Sequence, residues 1–97
     1  MNEIKTLKGK ITNCFSYGEL SVICEKINNE VKDRVVINNV RTNTIANPKS
    51  ALNMLNLSLI NGDEVEIIII SDSNVSLNKS VSNILNIFKD NIVFYKE

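Results

Sequence analysis

Polar and apolar positions alternate from Glu3 to Ile11, with Ile4, Leu7, Gly9 and Ile11 among charged and polar neighbours, and this pattern predicts a half-buried strand despite a slip in parity between Ile4 and Leu7. Leu20, Ile23, Cys24, Ile27 and Val31 then follow at spacings of 3, 1, 3 and 4, one stripe of an α-helix. Ser16 and Glu19 stand at its entrance with capping-box spacing, where each side chain accepts the other residue's orphan backbone N–H. The helix is expected over Tyr17 to Asn29. Arg34 to Ile37 is a short β-branched strand, Asn38-Asn39 tolerates the positive φ of a tight turn, and Val40 to Ile45 is expected to return as a second hairpin strand.

Asn47-Pro48-Lys49-Ser50 marks a break and a helix entrance, since proline has no N–H to offer and Asn or Ser can cap the next helix. A short helix over Ala51 to Leu57 would present Leu52, Leu55 and Leu59 at helical spacing. Asn61-Gly62 is a turn signal, and Glu64 to Ser71 alternates before four consecutive isoleucines, the pattern of a strand buried on both sides or central in its sheet. Ser73 is placed to cap a last helix with Leu77, Val81, Ile84, Leu85 and Phe88 on one face. Ile92 to Tyr95 is a β-prone tail, read as an edge strand, a cover for the sheet edge or a contact between chains. Helices that bury one stripe need a sheet beneath them, so the order predicts an α+β fold with helices on one face of a mostly antiparallel sheet.

A length of 97 residues is enough for one such domain, and 43% hydrophobic with 23% charged residues is ordinary globular composition. Residues 1–97 are therefore expected to form a single domain. Eleven basic side chains balance eleven acidic ones, so no net field favours nucleic acid or an anionic membrane surface, and neither is expected as a partner. The longest apolar run, Ile67 to Ile70, is too short to span a bilayer, and the N-terminus has no signal-peptide core; the expected location is cytoplasmic. The absence of histidine excludes Cys/His zinc sites, Ser-His-Asp and Cys-His nucleophile systems, and any phosphohistidine intermediate. No metal, cofactor or catalytic residue is expected. Cys14 and Cys24 are expected to remain reduced in a cytosolic chain.

The element order, and above all Lys49-Ser50-Ala51-Leu52-Asn53-Met54-Leu55-Asn56-Leu57-Ser58-Leu59-Ile60-Asn61-Gly62-Asp63-Glu64-Val65-Glu66-Ile67, resembles the histidine-containing phosphocarrier family, HPr, of the bacterial sugar phosphotransferase system. The resemblance spans roughly residues 3 to 90. It implies an open-faced β-sandwich of four antiparallel strands with three helices on one face, in the order βαββαβα, with room for an extra C-terminal strand. In that family a histidine in a Gly-x-His-x-Arg-Pro segment carries phosphate at the mouth of the first helix. Aligned on Leu20, Ile23, Cys24 and Ile27, the segment here is Cys14-Phe15-Ser16-Tyr17-Gly18-Glu19, so Ser16 stands for the histidine, Gly18 for the arginine and Glu19 for the proline.

A capping box between Ser16 and Glu19 would occupy the amides that seat phosphate and add a negative charge there. Two substitute acceptors are weighed. Ser16 lacks a general base, whereas Cys14, a thiol near a helix N-terminus, is the stronger candidate for a reactive group, as a phosphocarrier or in redox chemistry. Ser50 matches the serine that a dedicated kinase phosphorylates in HPr proteins of low-GC Gram-positive bacteria, whose phosphoserine form binds a transcriptional repressor; it also suits a plain helix cap. Ala51, Leu52 and Leu55 correspond to the apolar patch through which HPr proteins meet enzymes, kinase and repressor, a spacing that ordinary core packing would also produce. The resemblance thus implies a noncatalytic interaction module with protein partners, among them HPr kinase, a transcriptional regulator or phosphotransferase-system enzymes.

Overall fold

The computed structural model describes residues 2–96, in the order β1 (Glu3–Ile11), α1 (Tyr17–Glu30), β2 (Arg34–Asn39), β3 (Thr44–Ala46), α2 (Ala51–Leu55), β4 (Glu64–Ser71), α3 (Asn74–Ile87) and β5 (Ile92–Phe94). Alternation along β4 decides the architecture. Val65, Ile67, Ile69 and Ser71 are buried, while Glu66, Ile68 and Ile70 on the opposite face are only half-buried. β4 lies at the centre of an antiparallel sheet ordered β3-β2-β4-β1-β5, pairing Ile67 with Leu7 on one side and Ile37 on the other. The isoleucine run is therefore central, but it is not covered on both faces.

Helices cover one face. Leu20, Ile23, Cys24 and Ile27 of α1 and Leu77 and Ile84 of α3 pack with Ile37, Ile67 and Ile69 of the sheet in one apolar core. Ser16 and Ser73 cap these helices as their spacing predicts. Leu85, expected on the inner face of α3, is 37% exposed, and Ser80 takes an inner position instead at 3%. It can do so because its hydroxyl donates to Asp33 Oδ2 at 2.7 Å, joined by the Ser76 hydroxyl at 2.9 Å, so the buried polar group is satisfied.

The hairpin differs from the sequence expectation. β2 continues through Asn38 and Asn39, the chain turns over Val40 to Asn43, and β3 is confined to Thr44–Ala46. Asn43, at φ 54°, takes the left-handed conformation expected of the earlier pair. Asn39 is held in the strand by distant partners: its Nδ2 donates to the Leu57 carbonyl at 2.8 Å and to Asp63 Oδ2 at 3.2 Å. α2 also ends sooner than expected, at Leu55. Leu57 drops into the core, Ser58 turns at φ 51°, and Leu59 lies in the loop beyond the helix.

The C-terminal tail is a fifth, edge strand. β5 pairs antiparallel with β1 through Gly9↔Phe94 and Ile11↔Ile92. Gly9 permits that pairing, since a Cβ there would meet the Val93 carbonyl oxygen at 2.6 Å. Among the described residues no helix is long and apolar enough to cross a membrane.

Asp63 fastens the loop before β4 to the hairpin. Its carboxylate, 4% exposed, accepts from Arg41 Nε at 2.6 Å, Arg41 Nη2 at 3.1 Å, Asn39 Nδ2 and the Ile60 N–H at 3.0 Å. The Arg41 hydrogen bonds hold the carboxyl below the usual aspartate range against the opposing effect of burial. A depressed folded value means that this contribution to stability is complete above the unfolded value, about pH 4, and is lost as pH falls through the folded one. Asp63→Asn is expected to lower the melting temperature at neutral pH and to flatten its fall in acid. Asp63→Ala is expected to cost more, about 3 kcal/mol, because buried donors are left unpaired. Thermal melts of the three proteins from neutral to strongly acidic pH check both.

Candidate functional site

At the mouth of α1 the backbone of Ser16 is extended, with φ −72° and ψ 164°, and its side chain folds over the first turn. Glu19 N–H donates to Ser16 Oγ at 3.2 Å, and Ser16 N–H donates to Glu19 Oε1 at 3.0 Å. The reciprocal box is therefore formed. The Ser16 backbone N–H and hydroxyl hold the Glu19 carboxyl below the ordinary glutamate range, with a further contribution from Asn91, so it is ionised at neutral pH. The closure is narrower than the sequence suggests. No protein acceptor among the described residues reaches the Tyr17 or Gly18 N–H groups, which face solvent beside the Glu19 charge. For those two donors, repulsion of an anion by Glu19 replaces occupation by a side chain.

The segment leading into α1 is pinned from two directions. On one side Cys14 N–H donates to Asn61 Oδ1 at 2.7 Å, and the Cys14 thiol donates to the Leu59 carbonyl at 3.0 Å. On the other side the Asn91 carbonyl accepts from Thr12 N–H at 2.9 Å, and Asn91 Nδ2 donates back to the Asn13 carbonyl at 2.9 Å. Phe15 meets Phe88 edge to face, with ring centroids 5.9 Å apart. The entrance of α1, the loop before β4 and the turn between α3 and β5 are thus joined in one hydrogen-bonded corner.

Ser50 lies at the start of α2 and is half-buried; its Oγ accepts from Asn53 N–H at 3.2 Å, so the cap reading of this serine holds. Asn53 Oδ1 reaches back to the Asn47 N–H at 2.7 Å, and Asn28 Nδ2 donates to the Lys49 carbonyl at 2.7 Å, tying this entrance to α1. Leu52 and Leu55 are 74% and 47% exposed, whereas Met54 and Leu57 are the inward anchors of this segment. Ala51 is half-buried against the core. Cys14, Phe15, Leu20, Met54, Leu55 and Leu59 line a cleft of about 180 Å³ between the segment entering α1 and the C-terminal end of α2, which sets Leu55 beside Cys14 and Phe15.

The fold thus gathers Cys14, Ser16, Tyr17, Gly18 and Glu19 at one corner and places Ser50, Ala51, Leu52 and Leu55 on the neighbouring helix. Asn61 and Asn91, which fix the corner, were not legible as such: Asn61 reads as a turn residue, and Asn91 carries no local signal. Both cysteines are free, as expected for a reduced chain, Cys14 half-buried and Cys24 buried, and burial pushes the Cys24 thiol up. A disulfide-exchange reagent is expected to modify Cys14 alone in the folded protein, more slowly than an unstructured peptide thiol, and Cys24 only on unfolding. Rapid modification of Cys14 at the peptide rate would show that its bond to Leu59 does not hold it.

No family model matches the chain, nor does any curated protein sequence. Among solved structures, the histidine-containing phosphocarrier protein of Mycoplasma is similar with a TM-score of 0.62 at 15% sequence identity, covering 84% of this chain and 93% of that one. The likeness is one of fold. The α+β architecture, with its antiparallel open sheet and three helices, is that of HPr, extended by the edge strand β5.

Proposed function

We propose that this chain is a cytoplasmic, noncatalytic HPr-like docking module allied to the phosphotransferase system, controlled by phosphorylation of Ser50 and unable to carry phosphate on a histidine. The carrying observation is at the mouth of α1, where the position aligned with the carrier histidine is Ser16, engaged in a closed box with Glu19. A serine with no imidazole to activate it is a poor acceptor, and a serine phosphate is too stable for rapid onward transfer. The exposed Leu52 and Leu55 support recognition by protein partners, with a kinase, a transcriptional regulator and phosphotransferase-system enzymes as the classes the resemblance suggests.

Phosphorylation of Ser50 would leave its ester oxygen at the cap and add about two negative charges beside Leu52, changing the surface a partner reads without unfolding the helix. The alternative carrier or redox reading rests on Cys14. It gains no support from a thiol engaged with a backbone carbonyl in a packed corner.

Incubation with HPr serine kinase and ATP is expected to label the wild type and not Ser50→Ala; equal labelling of both would remove the assignment. Incubation with enzyme I and phosphoenolpyruvate is expected to leave the chain unlabelled, and an acid-labile phosphate would overturn the noncarrier reading. Leu55→Asp is expected to weaken partner binding at least tenfold with the melting temperature little changed.

A further inference from the structure

An asparagine followed by glycine is prone to attack from within its own chain. The backbone nitrogen of the second residue closes a five-membered ring onto the side-chain amide carbon of the first, and glycine has no Cβ to obstruct the approach. The chain has three glycines, and only Gly62 follows an asparagine. Asn61 and Gly62 are both exposed in the turn before β4, with Gly62 at φ 94°. Exposure alone would leave the pair reactive. The fold instead engages both reacting groups. Gly62 N–H donates to the Ile11 carbonyl at 2.7 Å, and Ile11 N–H donates in return to the Asp63 carbonyl at 2.8 Å. Asn61 Oδ1 accepts from Cys14 N–H at 2.7 Å, which fixes the orientation of the side chain toward the α1 entrance. The buried Asp63 carboxylate, held by Arg41, binds the Ile60 N–H and keeps the turn in place.

We infer that Asn61 is a latent self-modification site, kept unreacted by the closed corner at the mouth of α1 and released when that corner opens. On opening, the Gly62 N–H gives its proton to water or hydroxide and the nitrogen bonds to Asn61 Cγ. The Cγ–Nδ2 bond then breaks, and ammonia leaves with a proton. Water opens the resulting succinimide at one of its two carbonyls. Hydrolysis at Cγ leaves an ordinary aspartate, and hydrolysis at the backbone carbonyl leaves an isoaspartyl link that routes the main chain through Cγ. One water is consumed, one ammonium is released and one carboxylate is formed, with no change of oxidation state. A hydrogen-bonded amide proton is lost only when its bond opens, so this reaction and amide exchange of Gly62 pass through the same opening.

The two products leave the corner in different states. An aspartate at this position still offers Cys14 N–H a carboxylate oxygen. The isoaspartyl link puts one more methylene into the main chain between Ile60 and Gly62, so the bonds from Gly62 to Ile11 and from Cys14 to residue 61 no longer fit together. An opening is thereby recorded permanently, in the segment that carries Ser16 and Glu19. Neither a partner nor phosphorylation of Ser50 is involved, so this chemistry is separate from docking.

The full chain and a peptide spanning Ser58 to Val65 are incubated side by side at mildly alkaline pH, and deamidation of Asn61 is followed by mass spectrometry. The peptide is expected to react at least tenfold faster than the folded chain. Urea below the unfolding transition, and separately Asp63→Asn, are each expected to raise Gly62 amide exchange and Asn61 deamidation by the same factor. The isoaspartyl form, separated by chromatography, is expected to lose protection of the Cys14 amide, whereas Asn61→Asp keeps it. A folded chain that reacts as fast as the peptide would contradict the assignment, as would a peptide that stays intact. Deamidation that stays flat while Gly62 exchange rises would remove the gate.

Discussion

The reciprocal hydrogen bonds between Ser16 and Glu19 decide what the mouth of α1 is able to do. They consume the amides at both ends of the first turn and fix an ionised carboxylate beside the two that remain. A helix N-terminus favours anions through its free N–H groups and its dipole. Here a side chain of the same protein supplies the anion. The stabilisation that a bound phosphate would bring is already present within the chain, and an incoming phosphate meets like charge.

That cap is only as firm as the corner that carries it, and the corner is assembled from parts remote in sequence. Cys14 hangs on Asn61 and Leu59, whose loop is fastened through Asp63 to Arg41 and Asn39 of the hairpin. Thr12 and Asn13 hang on Asn91, at the turn between α3 and β5. A half-satisfied polar network would destabilise this region, but here asparagine amides and a buried carboxylate complete one another. The fifth strand therefore does more than lengthen the sheet, since its leading turn steadies the helix entrance.

Long periodic elements were legible in the sequence. β1, β4, α1 and α3 each bury a stripe or an alternating face over at least eight residues, which suffices to define their type, and the box at Ser16 and Glu19 is local enough to read directly. Short elements were not. Asn38-Asn39 has the propensity of a turn, but Asn39 is drawn into the sheet by Leu57 and Asp63, contacts no local window contains. The inward pair on the α2 segment, Met54 and Leu57, and the outward pair, Leu52 and Leu55, share one composition, so only the packing tells them apart. The isoleucine run shows the same limit, because periodicity marks it as central without saying that one of its faces lacks a cover.

The account of the helical side stands on the claim that α1 offers no seat to phosphate, and a titration of isotope-labelled protein with inorganic phosphate tests it most directly. The amide resonances of Tyr17, Gly18 and Glu19 are expected to stay in place as phosphate rises to high millimolar concentration at constant ionic strength. Saturable movement of these three signals would contradict the account and return the helix mouth to anion binding.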